Sequence, residues 1–568
     1  MRTTWSVIPF SVPLSFFIMA SFRKHKPTSP SSSSAASLSP HRPSPVDPVP
    51  QSPSPYSPFL ATPNVQRPMS TFGFPEDPQQ RAQHLSTLGF QSSPKLTYQH
   101  LKSTIVAALA LFSLQYHLTT LNIALFLLSV LYYPAQITQP WIDFSVKTSL
   151  LVGLMLGQVL FGWLADRVGR RVIFIAELSL VIIGVLASCF ASYAIRGISV
   201  FGMLAFWQFL IGLGLGGDVT IAGVVASEFA HTQRRGHFLA AVFTAQGIGM
   251  IFACGLAALI LACFGPSIHN DPFMLDYVWR IQFGIALVPT LASLILRLSL
   301  PETPRYLHAQ HLQGHSRGLA RASFPDFMHY FRPFYRQKIV IGVCLAWFGA
   351  DFVYFGTQLN YSTILNMLGI GAATDPFQYV MRNILGQLMS ALLGTLPGYI
   401  VTLFLVDRIG RRGVQFIGFG CNAAIYLSLA IAYYSLLFYA IPAFITLYVL
   451  SQFFLAMVSV TSYMIPAEVF PTQHRSTAFG LAATSGKLGA LLAQGLVFFI
   501  LNSELFDGTY YYLDKLIYAF FAMMILGILG TVLLKETANK SLEELGEEMD
   551  APPPEPVVIV KPVKVFET

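Results

Sequence analysis

Hydrophobic residues between positions 101 and 534 fall into long runs that are separated by short polar segments. Twelve runs are long enough to cross a hydrocarbon core about 30 Å thick, at about 1.5 Å per residue. Because lipid offers the backbone no hydrogen-bond partner, each run must be helical. The pattern predicts an all-α membrane protein with twelve transmembrane helices, over residues 103–131, 147–165, 173–192, 199–225, 238–263, 279–299, 339–359, 379–406, 414–436, 438–465, 477–501 and 513–534.

Arginines are concentrated in the connections that follow the even-numbered runs, whereas the connections after odd-numbered runs hold few basic residues. Loops rich in Lys and Arg stay on the cytoplasmic side of a membrane, so both termini are predicted to be cytoplasmic. The net charge of +8 is distributed over these loops and forms no single basic face, which argues against a nucleic-acid partner.

The composition has 54% hydrophobic and only 11% charged residues, where soluble domains have roughly 25% charged residues. A soluble fold is therefore excluded. The five cysteines lie in apolar runs without C-x-x-C spacing, so neither a disulfide framework nor a metal site is predicted. No cofactor and no enzymatic activity are expected.

Residues 1–98 form a Ser/Pro-rich arm that is predicted to be disordered, because it has too little apolar surface to form a core. Residues 1–20 leave three interpretations open: a targeting segment, a weak membrane-surface segment, or an extended gene model in which Met19 is the start of the chain. We predict the remaining organisation as an N-terminal half at 99–300, a cytoplasmic central loop at 301–338, a C-terminal half at 339–536 and a cytoplasmic tail at 537–568, with an amphipathic turn followed by disorder.

A repeat with a spacing of about 240 residues relates the two halves. The first repeated segment is Asp166-Arg167-Val168-Gly169-Arg170-Arg171, which recurs as Asp407-Arg408-Ile409-Gly410-Arg411-Arg412. The second is Glu228, Thr232, Gln233 and Arg235, which recur as Glu468, Thr472, Gln473 and Arg475. A third, looser pair is Pro301-Glu302-Thr303 and Lys535-Glu536-Thr537. Two six-helix halves in parallel repeat are the architecture of a secondary transporter that works by alternating access.

The duplicated D-R-x-G-R-R motif resembles the loop signature of the major facilitator superfamily. Within that superfamily, the chain resembles the phosphate:proton symporters of fungi and plants at Gly216-Gly217-Asp218, Ala226-Ser227-Glu228, Pro301-Glu302-Thr303-Pro304-Arg305-Tyr306 and segments 241–247, 465–471 and 485–490. The resemblance implies the major facilitator fold and proton-coupled uptake of inorganic phosphate by alternating access, at the plasma membrane. It leaves the oligomeric state open.

The same resemblance implies the residues of the site. Substrate-binding residues match at Asp218, Gln246, Trp347, Asp351 and Lys487, and proton-coupling carboxylates match at Glu177, Asp218 and Asp351. The chain departs from the family at Val219 and Phe355, where tyrosines are expected, at Ser459, where an asparagine is expected, and at Leu114 and His117, where aspartates are expected. These departures keep two alternatives open: transport of another solute, such as a glycerophosphodiester, another oxyanion or a neutral solute, and a nutrient sensor that no longer transports.

Counting residues from the charged ends of the helices gives an independent reason for a shared site. Asp218, Gln246, Asp351 and Lys487 all lie roughly 15–20 Å from the cytoplasmic side, which is the depth of the midplane. Transporter substrates bind at this depth between the halves. Lys487 is the only cation that this count places there, and pairing with Asp351 is one expectation for it.

Three further interpretations concern residues outside that site. The D-R-x-G-R-R loops are interpreted as gate and topology elements, in which carboxylates cap helix ends and arginines stay at lipid headgroups. The glycines from 212 to 217 favour close helix packing over a nucleotide loop. His117 is either a proton carrier or a structural residue, and we favour the structural role.

Overall fold

The computed structural model describes residues 98–132, 140–191, 199–230, 232–303, 305–306, 324–368, 375–502 and 513–550. The predicted arm up to residue 97, the targeting segment within it, residues 304 and 307–323 of the central loop and the tail after residue 550 lie outside these described residues.

Twelve helices in the described part of the chain are long and apolar enough to cross a membrane, as the hydrophobic pattern predicts. They are α1 (His100–Tyr132), α2 (Trp141–Val168), α3 (Arg170–Cys189), α4 (Val200–Phe229), α5 (Arg235–Asn270), α6 (Pro272–Leu298), α7 (Phe334–Gln358), α8 (Pro376–Ile409), α9 (Arg411–Ile431), α10 (Ile441–Val469), α11 (Arg475–Ile500) and α12 (Leu513–Val532).

Several boundaries differ from the prediction. Helices α2 and α6 begin at Trp141 and Pro272, before the predicted 147 and 279, and α5 ends at Asn270, after the predicted 263, because a helix continues into the polar region that an apolar count leaves out. Helix α9 ends at Ile431 instead of at residue 436, and a short helix, Tyr433–Tyr439, follows it. The apolar composition is continuous across Ala432, so hydrophobicity does not mark this break.

The twelve helices form two six-helix halves that meet along two seams. Within the halves, α2 packs against α4 and α1 against α5, and α7 packs against α11 and α9 against α12. The seams are α2 against α11 and α5 against α8. Each seam joins the second helix of one half to the fifth helix of the other. The halves therefore meet with the pseudo-twofold relation that the sequence repeat predicts.

Glycines allow α2 and α4 to touch along their backbones. A Cβ atom added at Gly157 of α2 would lie 2.0 Å from the carbonyl oxygen of Leu213, and one added at Gly216 of α4 would lie 2.2 Å from that of Leu154. Gly153 and Gly212 meet the partner backbone in the same way. This confirms the packing interpretation of the α4 glycines.

The tail continues into a nine-residue helix, α13 (Leu542–Asp550), where the sequence predicted only an amphipathic turn. Three side chains of this helix are buried, those of Leu542, Leu545 and Met549. Its Glu543 forms an ion pair of 2.9 Å with Arg305. Burial disfavours the charged form of Glu543, but Arg305 outweighs this effect and holds the pKa of the carboxyl below its usual value.

The α2–α4 contact predicts that substitution by alanine affects stability differently at Gly157 and at Gly255. Gly157→Ala should destabilise the protein by about 1–3 kcal/mol, because its new methyl group collides with backbone. Gly255→Ala in α5 meets no heavy atom within 4 Å, so the higher helix propensity of alanine should leave stability equal or raised. Thermal unfolding of the purified protein in detergent measures both, and equal melting temperatures for the two variants would contradict the packing.

Candidate functional site

A buried ion pair between α7 and α11 lies at the centre of the C-terminal half. Lys487 Nζ is 2.5 Å from Asp351 Oδ2, and it also lies over the ring of Phe355, 4.5 Å from the ring centroid. Both charged residues are less than a tenth exposed. Gly486 permits this approach, because a Cβ atom there would be 2.6 Å from both Asp351 Oδ2 and Trp347 Cδ1. The expected pairing of Asp351 with Lys487 is present.

Three polar side chains from α1, α5 and α7 form a hydrogen-bonded triangle next to this pair. Gln246 Nε2 donates to Gln115 Oε1 at 3.0 Å and to the Tyr354 hydroxyl at 2.9 Å. The Tyr354 hydroxyl donates to Gln115 Oε1 at 2.7 Å. Because Tyr354 follows Asp351 by one helical turn, the triangle and the ion pair form one polar region.

This polar region unites Gln246, Trp347, Asp351 and Lys487 as predicted, but it also contains residues that the sequence analysis missed. Gln115 is one of them, although a glutamine inside the apolar run of α1 was a readable signal. Tyr354 supplies a phenol on α7, where the sequence has Phe355 in place of the tyrosine that the family resemblance leads one to expect. A small cavity borders the triangle, and its polar lining is Gln115, Thr119, Tyr354, Gln358 and Gln387.

Asp218 belongs to a different cluster, in the N-terminal half. Its Oδ1 atom accepts a hydrogen bond of 2.6 Å from Arg297 of α6, and Glu177 of α3 lies 3.7 Å from the same guanidinium. Within the described chain, no hydrogen bond or ion pair joins Asp218 to Lys487. Arg297 is thus a buried cation beside two of the predicted carboxylates that the residue count from the helix ends did not identify. An arginine near the end of an apolar run suggests a headgroup contact, whereas the Arg297 side chain turns into the bundle.

His117 lies on the side of α1 that faces away from this polar region. The residue is 2% exposed, and its ring is 5.4 Å from the ring of Phe283 on α6. Two residues along a helix correspond to a rotation of about 200°, so His117 and Gln115 point in nearly opposite directions. This position agrees with the structural role that we favoured for His117.

A connected series of aromatic rings includes Trp347 of the polar region. The rings are in contact in the order Trp347, Phe479, Tyr463, Phe243 and Tyr399, with centroid distances of 5.3, 5.5, 5.1 and 5.4 Å. Phe479 follows Arg475 by four positions and Lys487 follows it by twelve, so along α11 this ring is roughly 12 Å closer to the arginines than Lys487 is. The rings thus begin at Trp347 in the polar region, and Phe479 lies on the side of that region that faces the arginines.

We call the face that holds Arg170, Arg235, Arg411 and Arg475 the arginine face. Ion pairs join the two halves there: Arg475 Nη1 is 3.0 Å from Glu228 Oε1, and Arg235 Nε is 2.9 Å from Glu468 Oε1. Each glutamate also meets an arginine of its own half, Arg170 at 3.5 Å and Arg411 at 3.1 Å. The second repeat in the sequence is therefore a pair of equivalent salt bridges across the seams.

The expectation that the motif arginines stay at lipid headgroups is wrong for Arg170 and Arg411. Each is only 1% exposed. The reason is that a neighbouring helix supplies a buried glutamate, which compensates the charge of the arginine away from water. Arg167 instead stacks over Trp163, and the outer arginines Arg171 and Arg412 donate to backbone carbonyls.

The motif carboxylates cap helices of the opposite half. Asp166 accepts hydrogen bonds from the backbone amides of Ser476 and Thr477 at the start of α11, at 3.3 and 2.8 Å. Its repeat equivalent, Asp407, accepts one of 3.1 Å from the amide of His237 at the start of α5. Helix N-termini favour negative charge, so both carboxylates stabilise the closed seams.

The third repeat caps the motif itself. Glu302 accepts hydrogen bonds from the amides of Arg170 and Arg171, and Glu536 accepts them from Arg411 and Arg412. The preceding glycines, Gly169 and Gly410, have φ values of +116° and +91°, which side chains with a Cβ atom rarely adopt. The glycine of the motif is therefore required by the turn between the two helices.

Contacts also join the halves on the opposite face. Lys147 of α2, which is 2% exposed, is 3.3 Å from Asn360 after α7, and the ring of Phe144 on α2 is 4.6 Å from that of Phe498 on α11. His269 and Asp375 approach to 3.4 Å between α5 and α8. The polar region is thus flanked by contacts between the halves on both sides.

Comparison with protein families gives a match to the Major Facilitator Superfamily over residues 103–494. The chain belongs to this superfamily.

A repressible high-affinity phosphate permease of Neurospora crassa is 31% identical over 455 residues, covering 72% of this chain and 79% of the permease. An inorganic phosphate transporter of Saccharomyces cerevisiae is 32% identical over 453 residues, with coverages of 71% and 76%. A rice inorganic phosphate transporter is 30% identical over 462 residues, with coverages of 73% and 86%. The resemblance to fungal and plant phosphate transporters is confirmed.

Solved structures agree with the major facilitator fold. The structure of a proton:xylose symporter bound to 6-bromo-6-deoxy-D-glucose superposes with a TM-score of 0.61 at 20% identity, covering 78% of this chain and 98% of the symporter. At this identity the match shows the fold alone. The twelve helices, the two halves and the repeated motif are therefore those of a major facilitator protein.

Loss of one salt bridge on the arginine face should greatly lower the stability of this major facilitator protein. Arg475→Gln leaves the buried Glu228 without its partner from the other half and should destabilise the protein by about 3–5 kcal/mol. The double variant Glu228→Gln/Arg475→Gln removes both charges and should be more stable than Arg475→Gln alone. Thermal unfolding in detergent measures both variants.

The matched control is a surface pair on the same face. Lys540 and Glu548 are more than a third exposed, so Lys540→Gln should cost at most about 1 kcal/mol. The repeat equivalent Arg235→Gln should behave like Arg475→Gln. A double variant that is no more stable than Arg475→Gln would show that charge pairing is not what holds the seam.

Proposed function

We propose that this protein takes up inorganic phosphate together with protons by alternating access. We further propose that it does so in the plasma membrane, with both termini in the cytoplasm. The observation that carries the proposal is the buried Lys487–Asp351 pair beside the donors of Gln246, Trp347 and Tyr354, between two halves that are related by a repeat. The names of the fungal and plant relatives support phosphate as the substrate.

The chemistry of the polar region suits a tetrahedral oxyanion. Lys487 supplies a positive charge, and Gln246 Nε2, Trp347 Nε1 and the Tyr354 hydroxyl supply neutral hydrogen-bond donors. In this structure the Asp351 carboxylate forms an ion pair with Lys487. An anion that binds Lys487 must displace this carboxylate, and two negative groups at one lysine repel each other unless Asp351 takes up a proton. Proton and anion binding are therefore favourable together.

Coupling then follows from differential affinity. When the site opens inward and Asp351 loses its proton, the carboxylate competes for Lys487 and the anion is released. Glu177 and Asp218 are the other carboxylates of the proposed proton route. Asp218 is paired with Arg297 in this structure. This pairing favours a role in the proton route over a direct contact with substrate.

We propose that the halves at 99–300 and 339–536 rock against each other, with 301–338 as the connecting loop. The arginine-face salt bridges hold one closed state, and the contacts of Lys147 and Phe144 hold the other. Each opening must break one of these two sets, so the two faces open alternately.

Uptake of labelled phosphate into proteoliposomes tests the function. Wild-type protein should accumulate phosphate with an inward proton gradient and should only equilibrate it without one. Competition by a glycerophosphodiester or another oxyanion that is stronger than that of phosphate would identify a different cargo. Phosphate binding without accumulation would indicate a sensor, and the absence of both binding and uptake would overturn the proposal.

Lys487 gives the sharpest single-residue prediction for this site. Lys487→Ala should weaken phosphate binding by about 1.5–3 kcal/mol, the range for hydrogen bonds to charged groups, which is roughly 10- to 150-fold. Equilibrium binding of labelled phosphate to the purified protein measures this change. Lys540→Ala, at an exposed lysine of the arginine face, is the control and should bind like wild type. Wild-type affinity in Lys487→Ala would place the binding site elsewhere.

A further inference from the structure

Arg297 lies at the end of α6, between two carboxylates, and the sequence analysis gave it no role. Its Nη2 atom donates to Asp218 Oδ1 at 2.6 Å, and its Nη1 atom donates to the carbonyl oxygen of Phe174 at 2.8 Å. The guanidinium also lies 3.7 Å from the centroid of the Phe174 ring. Glu177 Oε1 is 3.7 Å from Nη1. The arginine is thus fixed to α3 and bridges the two acidic residues.

The charges of this cluster do not balance if all three groups are ionised. Glu177, Asp218 and Arg297 are 0–1% exposed, so two carboxylates and one guanidinium would leave one net negative charge away from water. An uncompensated buried charge is unfavourable, and a carboxylate in such a position takes up a proton instead. Electrical neutrality therefore requires one proton on the pair.

The neighbouring helices bring no further charge to compensate for the second carboxylate. Among the described residues, the ionisable groups that act on Glu177 are Asp218 and Arg297. Helix α2 presents the ring of Phe161 there, and Gly217 of α4 faces Glu177 Oε2. From the other half, Tyr463 of α10 is the ionisable group within electrostatic reach of Asp218.

The contacts also distinguish the two carboxylates. Asp218 receives the short charged hydrogen bond, which favours its ionised form. Both oxygens of Glu177 lack a hydrogen-bond donor among the described residues, because Nη1 of the arginine is directed to the Phe174 carbonyl. A buried carboxylate that accepts no hydrogen bond is the one on which a proton is most favourable.

We propose that Arg297 is a positioning residue that restricts the Glu177–Asp218 pair to a single transferable proton, with Asp218 as the lasting counterion of the arginine and Glu177 as the proton carrier. The inference deepens the proposed proton-coupled function and rests on it for the coupling step. The proton binds to a carboxylate oxygen of Glu177 and leaves to water. The net negative charge that remains favours the next protonation.

The charge count makes a prediction that does not depend on transport. Infrared spectra of the purified protein near neutral pH report the carbonyl stretch of protonated carboxylic acids. The cluster should contribute one such acid in wild type and none in Asp218→Asn, where Glu177 ionises to pair with Arg297. It should contribute two in Arg297→Gln and again one in the double variant Asp218→Asn/Arg297→Gln. Glu177→Gln should remove the carboxylic-acid band of the cluster. The same band should shift when the wild-type protein is made with carbon-13-labelled glutamate.

Arg280→Gln is the matched control for these spectra. Arg280 lies on the same helix and pairs with Asp276, at a part-exposed position away from the cluster. Its spectrum should equal that of wild type. Equal carboxylic-acid bands in wild type, Asp218→Asn and Arg297→Gln would overturn the proposal, and a band that fails to shift with labelled glutamate would overturn the assignment to Glu177.

Transport gives the second measurement. Asp218→Asn should lose accumulation of phosphate under a proton gradient but keep exchange of labelled for unlabelled phosphate, which needs no net proton release. The double variant should regain accumulation, because Glu177 is then free to bind and release its proton. Arg297→Lys preserves the charge and should still accumulate phosphate.

The outcomes separate this inference from the proposed function. Exchange in each variant shows that the protein is folded, so a double variant that exchanges phosphate but accumulates no more than Asp218→Asn would overturn the inference. Loss of accumulation in Arg297→Lys with intact exchange would also overturn it. If wild type itself neither binds nor transports phosphate, the proposed function fails, while the infrared count still decides the protonation of the cluster.

Discussion

The structure depends on the pairing of charges that are shielded from water. Arg170, Arg235, Arg297, Arg411 and Arg475 are each at most 1% exposed, and each lies within 4 Å of a carboxylate. An unpaired charge in such a place would cost several kcal/mol. The pairs therefore decide which helices can be neighbours, and four of these arginines join or brace the seams between the halves.

The repeat is symmetric where the halves meet and asymmetric where the chemistry is expected. Glu228 and Glu468, Asp166 and Asp407, and Glu302 and Glu536 have equivalent partners. The Lys487–Asp351 pair, in contrast, belongs to the C-terminal half, and the cluster of Arg297 belongs to the N-terminal half. The duplication thus supplies the equivalent contacts between the halves, and the departures from it separate the proposed anion site from the proposed proton site.

Both chemical sites contain a cation that an internal carboxylate already neutralises. Asp351 forms an ion pair with Lys487, and Asp218 forms one with Arg297. The first pair lies next to neutral donors and a small cavity, which supports the proposal that an anion replaces the carboxylate there. The second pair lies between α3, α4 and α6, where Glu177, Asp218 and Arg297 are each at most 1% exposed, and we propose a proton as its ligand.

The sequence by itself determined the number and order of the spanning helices, the two halves and four of the six residues in the polar region. These properties follow from local hydrophobicity and from the repeat, both of which can be read along the chain. A glutamine in an apolar run marks Gln115 as unusual, but its partners Gln246 and Tyr354, like the role of Arg297, could not be read in this way. Nothing in the order of residues states that Arg297 turns towards Asp218, or that Arg475 meets Glu228 from the other half. Those partners are distant in sequence, so only the packing of the helices decides which charge neutralises which.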